Sequence, residues 1–275
     1  MAIWNHHVLR AGNLRLDGGG MFGIIPKSMW AGWTMPDDLN RIGLQTNCLL
    51  LRRDDATVLV ETGGGDKWND RERTMYGLES RTVLDALREH ELEPEDVDLV
   101  VVTHLHFDHA GGLTRLRGDE VVPTFPRAPI VVQRTEWEDA LANRSTMTRT
   151  YLRDHLDPVA DLVRCVEGED EILDGLRVLS VPGHTRGQQG VLVDGTDGPL
   201  AFLGDLLPTI HHAHPSAATA YDMDPYETRL VKHRFLEQAE AEEWKLVLDH
   251  EPGDPVVRVR RDDRGRRSLA PVTSC

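Results

Sequence analysis

The chain has 275 residues, of which 40% are hydrophobic and 28% charged, with 24 Gly and 15 Pro; this is a globular balance that excludes disordered and collagen-like chains. Its 31 basic and 46 acidic residues leave a formal charge of −15, which argues against a nucleic-acid partner because phosphate neutralisation dominates that affinity. No apolar run approaches the ~18 residues of a membrane-spanning helix. MAIWNHHVLRAGNLRLDGGG lacks the basic-then-apolar order of a secretory leader. The three cysteines, Cys48, Cys165 and Cys275, are too scattered for a disulfide framework. The expectation is an acidic, cytoplasmic chain with no membrane partner, forming one domain over residues 1–275.

Large apolar side chains gather first at Met21-Phe22, Met29-Trp30 and Trp33-Thr34-Met35. This segment either fills a core with Trp4 or folds over a site as a pocket wall. Strand-sized apolar runs follow at Cys48–Leu51 and Val58–Val60, and Ser80 can cap a helix whose Val83, Leu84 and Leu87 share a face. Leu99–Val102 and Ile130–Val132 read as strands, and Thr135 can cap a helix carrying Trp137, Ala140 and Leu141. Further strands fall at Val178–Val181, Val191–Val193 and Leu200–Leu203, the last two joined through the hairpin signal Asp194-Gly195-Thr196-Asp197-Gly198. A helix from about Glu227 to Glu243 sets Val231, Phe235 and Ala239 at four-residue steps, and a strand follows at Leu246–Leu248. The run from Val256 to Val259 leads into Asp262-Asp263-Arg264-Gly265, a final hairpin whose arginines, through Arg267, read as a solvated turn rather than an anion site. Strands mixed with helices, without an internal repeat, indicate an α/β or α+β fold.

The segment Leu99-Val-Val-Val-Thr-His-Leu-His-Phe-Asp-His-Ala-Gly-Gly112 is the most informative. In an extended chain, alternation puts His104 and His106 on one side, where both imidazoles reach one cation. Asp108 and His109 follow where the chain turns ahead of Gly111-Gly112, and aim at a second point nearby. Imidazole nitrogen and carboxylate oxygen are donors that Zn²⁺ accepts, and the absence of cysteine from the cluster disfavours thiolate-seeking ions. A lone histidine is more often a hydrogen-bonded core or surface residue, and with 13 His several must be so; three His and one Asp within six residues are a different pattern. Three more apolar runs end in polar groups: Ser180-Val-Pro-Gly-His184-Thr185, Leu200-Ala-Phe-Leu-Gly-Asp205 and Leu246-Val-Leu-Asp249-His250. Rigid strands of this kind position loop residues at one edge of a sheet.

The order THLHFDHAGG, PGHT, FLGD and LDH resembles the metallo-β-lactamase superfamily, with its His-x-His-x-Asp-His signature, from about Val60 to His250. The resemblance implies an αβ/βα sandwich with two divalent metal ions at the sheet edge. It assigns His104, His106 and His184 to one ion, Asp108, His109 and His250 to the other, and makes Asp205 the bridge. Zn²⁺ is the first expectation, with Fe, Mn or Co as alternatives. Val60-Glu61-Thr62-Gly63 resembles the family's Asp-Thr-Gly turn, with Glu61 where an aspartate normally supports the site from outside the ligand set; the longer carboxylate either still orients a ligand or shifts it. After PGHT the chain reads Arg186-Gly187-Gln188, where many relatives carry a histidine that is not usually a ligand.

Two cations about 3.5–4 Å apart can share a hydroxide, lowering the pKa of water to near 7. The expected chemistry is therefore hydrolysis, with that bridging hydroxide attacking a carboxylic ester or lactone and Asp108 passing a proton to the leaving group. The likeness is greatest to lactonase and esterase members, including quorum-quenching lactonases and organophosphate hydrolase relatives; the long N-terminal segment ending in Asn40-Arg41-Ile42 through Asn47-Cys48-Leu49 and the stretch containing Tyr221 carry it. Alternatives on the same fold are a thioester (glyoxalase-II-like), phosphotriester or β-lactam hydrolase and a mononuclear iron oxidoreductase; a metal-stabilised binding protein is a further class. Tyr221 either donates a hydrogen bond to a substrate carbonyl or only packs its ring. His211, His212 and His214 read as a polar loop, with a substrate contact as the alternative. The expected partner is a small molecule, and a homodimer is open.

Overall fold

Alternating burial sorts the strands into two sheets. The first contains β1 (Asn5–Asp17), β2 (Arg41–Arg53), β3 (Ala56–Val60) and β4 (Leu99–Val101); after a separate hairpin of β5 (Thr114–Arg117) and β6 (Glu120–Pro123), it is completed by β7 (Ile130–Gln133) and β8 (Val163–Val166). The second contains β9 (Asp170–Leu173), β10 (Leu176–Ser180), β11 (Gln189–Gly195), β12 (Gly198–Phe202), β13 (Lys245–Val247), β14 (Val256–Arg261) and β15 (Arg267–Pro271). Their spatial orders are β1-β2-β3-β4-β7-β8 and β15-β14-β13-β12-β11-β10-β9. The computed structural model describes residues 3–272. Cys275 lies outside them, while Cys48 and Cys165 are free thiols.

Val58, Val60, Leu99 and Val101 face inward from the first sheet and meet Val191, Val193, Leu200 and Phe202 of the second, with Trp4 in the same core. The intervening Leu59 and Val100 point outward on the first sheet, and Leu192 and Ala201 on the second, as a period of two requires. Each such Val, Leu or Phe, fully buried, contributes about 1.5–3 kcal/mol.

Helices cover the two outer faces. In chain order they are α1 (Gly18–Phe22), α2 (Lys27–Trp30), α3 (Asp70–Tyr76), α4 (Val83–Arg88), α5 (Phe107–Ala110), α6 (Arg134–Leu141), α7 (Arg153–Leu156) and α8 (Pro225–Ala241). Val83, Ala86 and Leu87 of α4, with Ala140 and Leu156, pack on the first sheet. Val231, Phe235, Leu236 and Ala239 of α8 pack on the second. The molecule is thus the expected αβ/βα sandwich, and among the described residues no helix is long and apolar enough to cross a membrane.

Several local expectations shift. Thr82, in a capping box with Asp85, starts α4 in place of Ser80. Gln133 precedes α6, so Thr135 lies inside that helix. Asp224 caps α8 by accepting from the Glu227 amide, and Pro225 fills the first position, so the helix begins and ends two residues earlier than its apolar spacing suggests. β1, which no apolar run announces, is an edge strand with a register shift between Arg10 and Asn13. Gly12 allows that shift: its φ is +130°, and a Cβ there would strike the Arg81 carbonyl.

The aromatic segment does not join Trp4. Met21, Phe22 and Trp30 form their own cluster with Leu14, Ile42 and Leu44, flanked by half-buried Trp33 and Tyr221, while Met29 and Met35 stay exposed. In the last hairpin, Arg261 and Arg267 pair with Glu240 on α8, and Arg266 pairs with Asp262. Those arginines tie the hairpin to the helix and to itself, which agrees with the surface-turn reading.

Candidate metal centre

Strand ends assemble the site. Glu61 follows β3, His104 and His106 follow β4, His184 follows β10, Asp205 follows β12 and His250 follows β13. The parallel pairs β3–β4 and β12–β13 open their ends toward one edge. Beyond β4 the chain bends at Thr103; His106, with extended dihedrals, precedes α5, and Asp108 and His109 fall in that helix. Gly111 and Gly112 let the next turn lie against the backbone after β3, where a Cβ on either would collide with the carbonyls of Gly64 or Thr62. The Lys67 ammonium holds this turn by donating to the Gly111 and Thr114 carbonyls at 2.6 Å each.

Asp205 divides the cluster in two. Its Oδ2 lies 3.0 Å from His184 Nε2 and 3.9 Å from His104 Nε2. Its Oδ1 lies 3.1 Å from His250 Nε2 and 3.6 Å from His109 Nε2. Donor atoms of His104, His106, His184 and Asp205 all stand within 4.8 Å of one another, and so do those of His109, Asp205, Asp249 and His250. Asp108 stands beside the second group, its oxygens 3.6 Å from His250 Nε2 and 3.8 Å from His109 Nε2. The structure therefore brings together all seven residues expected as ligands.

The donor chemistry fits cations. Nε2 of His104, His106, His109 and His250, Oδ1 of Asp205 and both oxygens of Asp249 are buried without a hydrogen-bond partner. Unpaired buried polar atoms are costly, so seven in one cleft describe a site shaped for positive charge. Four of the rings are aimed by their other nitrogen. Nδ1 of His104 meets the Thr103 hydroxyl at 3.0 Å, that of His184 meets Asp222 at 2.9 Å, that of His250 donates to the Gln45 carbonyl at 2.9 Å, and that of His109 faces Glu61 at 3.5 Å. Such outer partners fix the tautomer and the ring plane.

Protonation follows the same layout. Burial, then the neighbouring rings, holds His104 and His106 well below the usual imidazole range. Burial would also lower His109, but Asp108, Asp205 and Glu61 outweigh it and raise the pKa to about 9. In His184, Asp205 and Asp222 overcome burial in the same way, to about 10. Burial would raise Asp205, yet His184, His250 and His109 hold its carboxyl well below the carboxylate range. Burial, with Asp205 nearby, pushes Asp249 up to about 8. Ligands must be deprotonated, so cations entering here would displace protons.

Glu61 lies beside the His109 ring. Its Oε1 accepts from the Thr103 amide at 2.7 Å while Oε2 faces His109, and the geometry is maintained with Glu61 at a φ of +69°, a conformation rarely tolerated by non-glycine residues. Two outer residues have no sequence signal of their own. Asp222 is buried, accepting from Thr219 at 2.6 Å and pairing with His184. Glu136, on α6, is fully buried and accepts from the Leu105 amide, the Tyr151 hydroxyl and the Thr185 hydroxyl, which ties the His104–His106 strand end to the His184 turn. An acidic residue early in a helix ordinarily faces water, and only packing reveals this one inside.

The three later histidines lie outside both donor groups. His212 Nε2 donates to the Met21 carbonyl at 2.9 Å, its Nδ1 meets the Thr209 hydroxyl at 2.8 Å, and its ring stacks on Phe22 at 5.2 Å. His211 stacks on Trp33; it and His214 line a cavity of about 770 Å³ between α8 and the last hairpin. Tyr221 packs its ring in the aromatic cluster, and a Cβ on Gly20 would collide with its hydroxyl. Burial, with Asp17, Asp108, Tyr76 and Asp205 around it, raises the Tyr221 hydroxyl to about 12.

Comparison with known proteins agrees with this architecture. The chain is similar to an N-acyl homoserine lactonase of Bacillus thuringiensis, 30% identical over 164 residues that cover 56% of this chain and 60% of that relative. The match thus spans about three fifths of the length of that curated relative. A probable metal-dependent hydrolase from Staphylococcus aureus shares the fold at a TM-score of 0.89, with 26% identity and 100% of both chains covered. A dizinc quorum-quenching lactonase, solved in complex with a product, does so at 0.82, with 17% identity and coverage of 100% of this chain and 97% of that one. With the model of the metallo-beta-lactamase superfamily matching residues 41–250, over the strand ends that carry all of these donors, the chain belongs to that superfamily.

Proposed function

We propose that this protein is a hydrolase of carboxylic esters or lactones that works with two divalent cations, Zn²⁺ first, in a single domain. The observation that carries the reading is Asp205, whose two oxygens face different pairs of imidazoles, while three of the four ring nitrogens aimed at them, those of His104, His109 and His250, lack partners. On this reading His104, His106 and His184 hold one ion, Asp108, His109 and His250 hold the other, and Asp205 spans both. When bound, such a pair supplies water activated at neutral pH and polarisation of a carbonyl oxygen.

The chain's own residues do the rest. Asp108 is 7% exposed, at the rim of the donor groups, where a carboxyl can carry a proton to the leaving alcohol. Tyr221, with its pKa near 12, stays protonated at neutral pH and donates to the substrate carbonyl. Phe107, Tyr76 and Trp68, with ring centroids 5.0–5.9 Å apart, give the neighbourhood of Asp108 an apolar wall suited to a substrate with an apolar portion. The lactonase relative supports an ester or lactone as the substrate class. The test is metal quantification with a panel of lactones, aryl esters, phosphotriesters, β-lactams and glutathione thioesters. Two ions per chain and fastest metal-dependent turnover of a lactone or ester are expected; one iron per chain, or fastest turnover of another class, would overturn the reading.

A further inference from the structure

Asp249 departs from the ligand set assigned above. It is 2% exposed, and both carboxylate oxygens lack a hydrogen-bond partner among the described residues. Its donor atom lies within 4.8 Å of those of His109, Asp205 and His250. The main chain fixes this position: the Asn47 amide donates to the Asp249 carbonyl at 2.7 Å, and the Asn47 side chain donates to the Leu248 and Glu251 carbonyls on either side at 2.8 and 2.9 Å. A carboxyl pinned in the interior with two unpaired oxygens needs a partner, and these oxygens share their space with the second donor group.

We propose that Asp249 is itself a ligand of the second cation, which adds a third carboxylate to that half of the centre. This inference rests on the two-cation reading above. The first group offers three imidazoles and one carboxylate; the second offers two imidazoles with the carboxylates of Asp108 and Asp205, and Asp249 makes a third carboxylate. Oxygen donors favour harder ions and imidazoles favour Zn²⁺. The second position therefore discriminates less between Zn²⁺ and Mn²⁺ than the first, and Asp249 widens the difference that Asp108 begins.

The experiment uses the full chain, stripped with a chelator and titrated calorimetrically with Zn²⁺ and separately with Mn²⁺, with bound metal counted by mass spectrometry. Wild type is expected to bind two ions. Asp249→Asn should keep the first Zn²⁺ at unchanged affinity and bind the second at least about tenfold more weakly, since even outer partners of a metal site cost 10–100-fold; the loss should be larger for Mn²⁺. Metal-free Asp249→Asn should melt no lower than wild type, because an amide of the same shape replaces a carboxyl that makes no hydrogen bond, while its gain in Tm on adding Zn²⁺ shrinks. A merely structural Asp249 gives the reverse, a lower metal-free Tm with an unchanged second affinity, and that result overturns the proposal. Asp249→Glu keeps the charge but moves it by one carbon, and carries the test should the asparagine variant not fold: a weakened second ion beside an unchanged first supports the assignment, and two unchanged affinities sink it. Two ions held equally well by wild type and Asp249→Asn sink this inference alone, whereas a wild-type chain without a second ion sinks the two-cation reading as well.

Discussion

His104, His106 and His109 share with His212 an almost complete burial, at 0, 3, 2 and 1% exposure, yet their ring nitrogens have different fates. In the segment after β4, each ring leaves Nε2 without a hydrogen-bond partner. His212 uses both nitrogens, on Thr209 and Met21, and stacks its face on Phe22. The two segments are comparably rich in histidine, so density alone does not distinguish a donor set from a polar core. What separates them is whether the surroundings satisfy the ring or leave it a lone pair.

The comparison can be broken first at Asp205. Asp205→Ala removes the oxygens that both donor groups share, and we expect loss of bound metal and of turnover well beyond the roughly 10–100-fold cost of an outer partner; a variant with two ions and full activity by metal analysis and steady-state kinetics would refute the scheme. Asp222→Asn comes next. It removes the charge that fixes His184 through Nδ1, and should weaken metal affinity about 10–100-fold with circular dichroism unchanged.

His212 sharpens the other side. His212→Ala removes two buried hydrogen bonds and a stacked ring, at about 2–4 kcal/mol of stability by denaturant titration, while metal stoichiometry stays at the wild-type value. The same ring predicts a pH dependence. Burial first lowers its pKa from 6.5 to about 4 in the folded chain. The unfolded chain takes up this proton first as pH falls, so the contribution is complete above about 6.5 and is lost toward 4, on the order of 3 kcal/mol. Comparing His212→Gln with wild type across that window isolates it: the variant should lose less stability on acidification, and parallel curves would contradict the assignment. The smallest effect belongs to His214→Ala, a half-buried position on the far cavity, expected within about 0.5 kcal/mol by thermal melts and without change in bound metal.

Much of the fold was legible because apolar runs mark strands buried on both faces. Val58–Val60, Leu99–Val102 and Leu246–Leu248 are such runs, and each has its β-strand. β1 was not legible, since an edge strand exposes one face and its sequence, NHHVLRAGNLRLD, carries polar residues there. Helix starts moved where a cap overrode apolar spacing, as Thr82 did over Ser80. At the site, His104, His106, Asp108 and His109 declare themselves by crowding, and His184, Asp205 and His250 by following strands. Asp249 shares the strand-end mark of His250, but Glu136 and Asp222 have none, because one carboxylate among 46 acidic residues looks like solvated surface until neighbours enclose it.

Local pattern and residue chemistry thus determine which segments form strands and which side chains can bind a cation, since both depend on neighbours a few positions away. Tertiary structure alone decides which donors meet. Asp205 meets His250 because β12 and β13 pair within one sheet, but reaches His109 only because the two sheets stack, and a carboxylate becomes an orienting or an unpaired group only when packing takes water from around it.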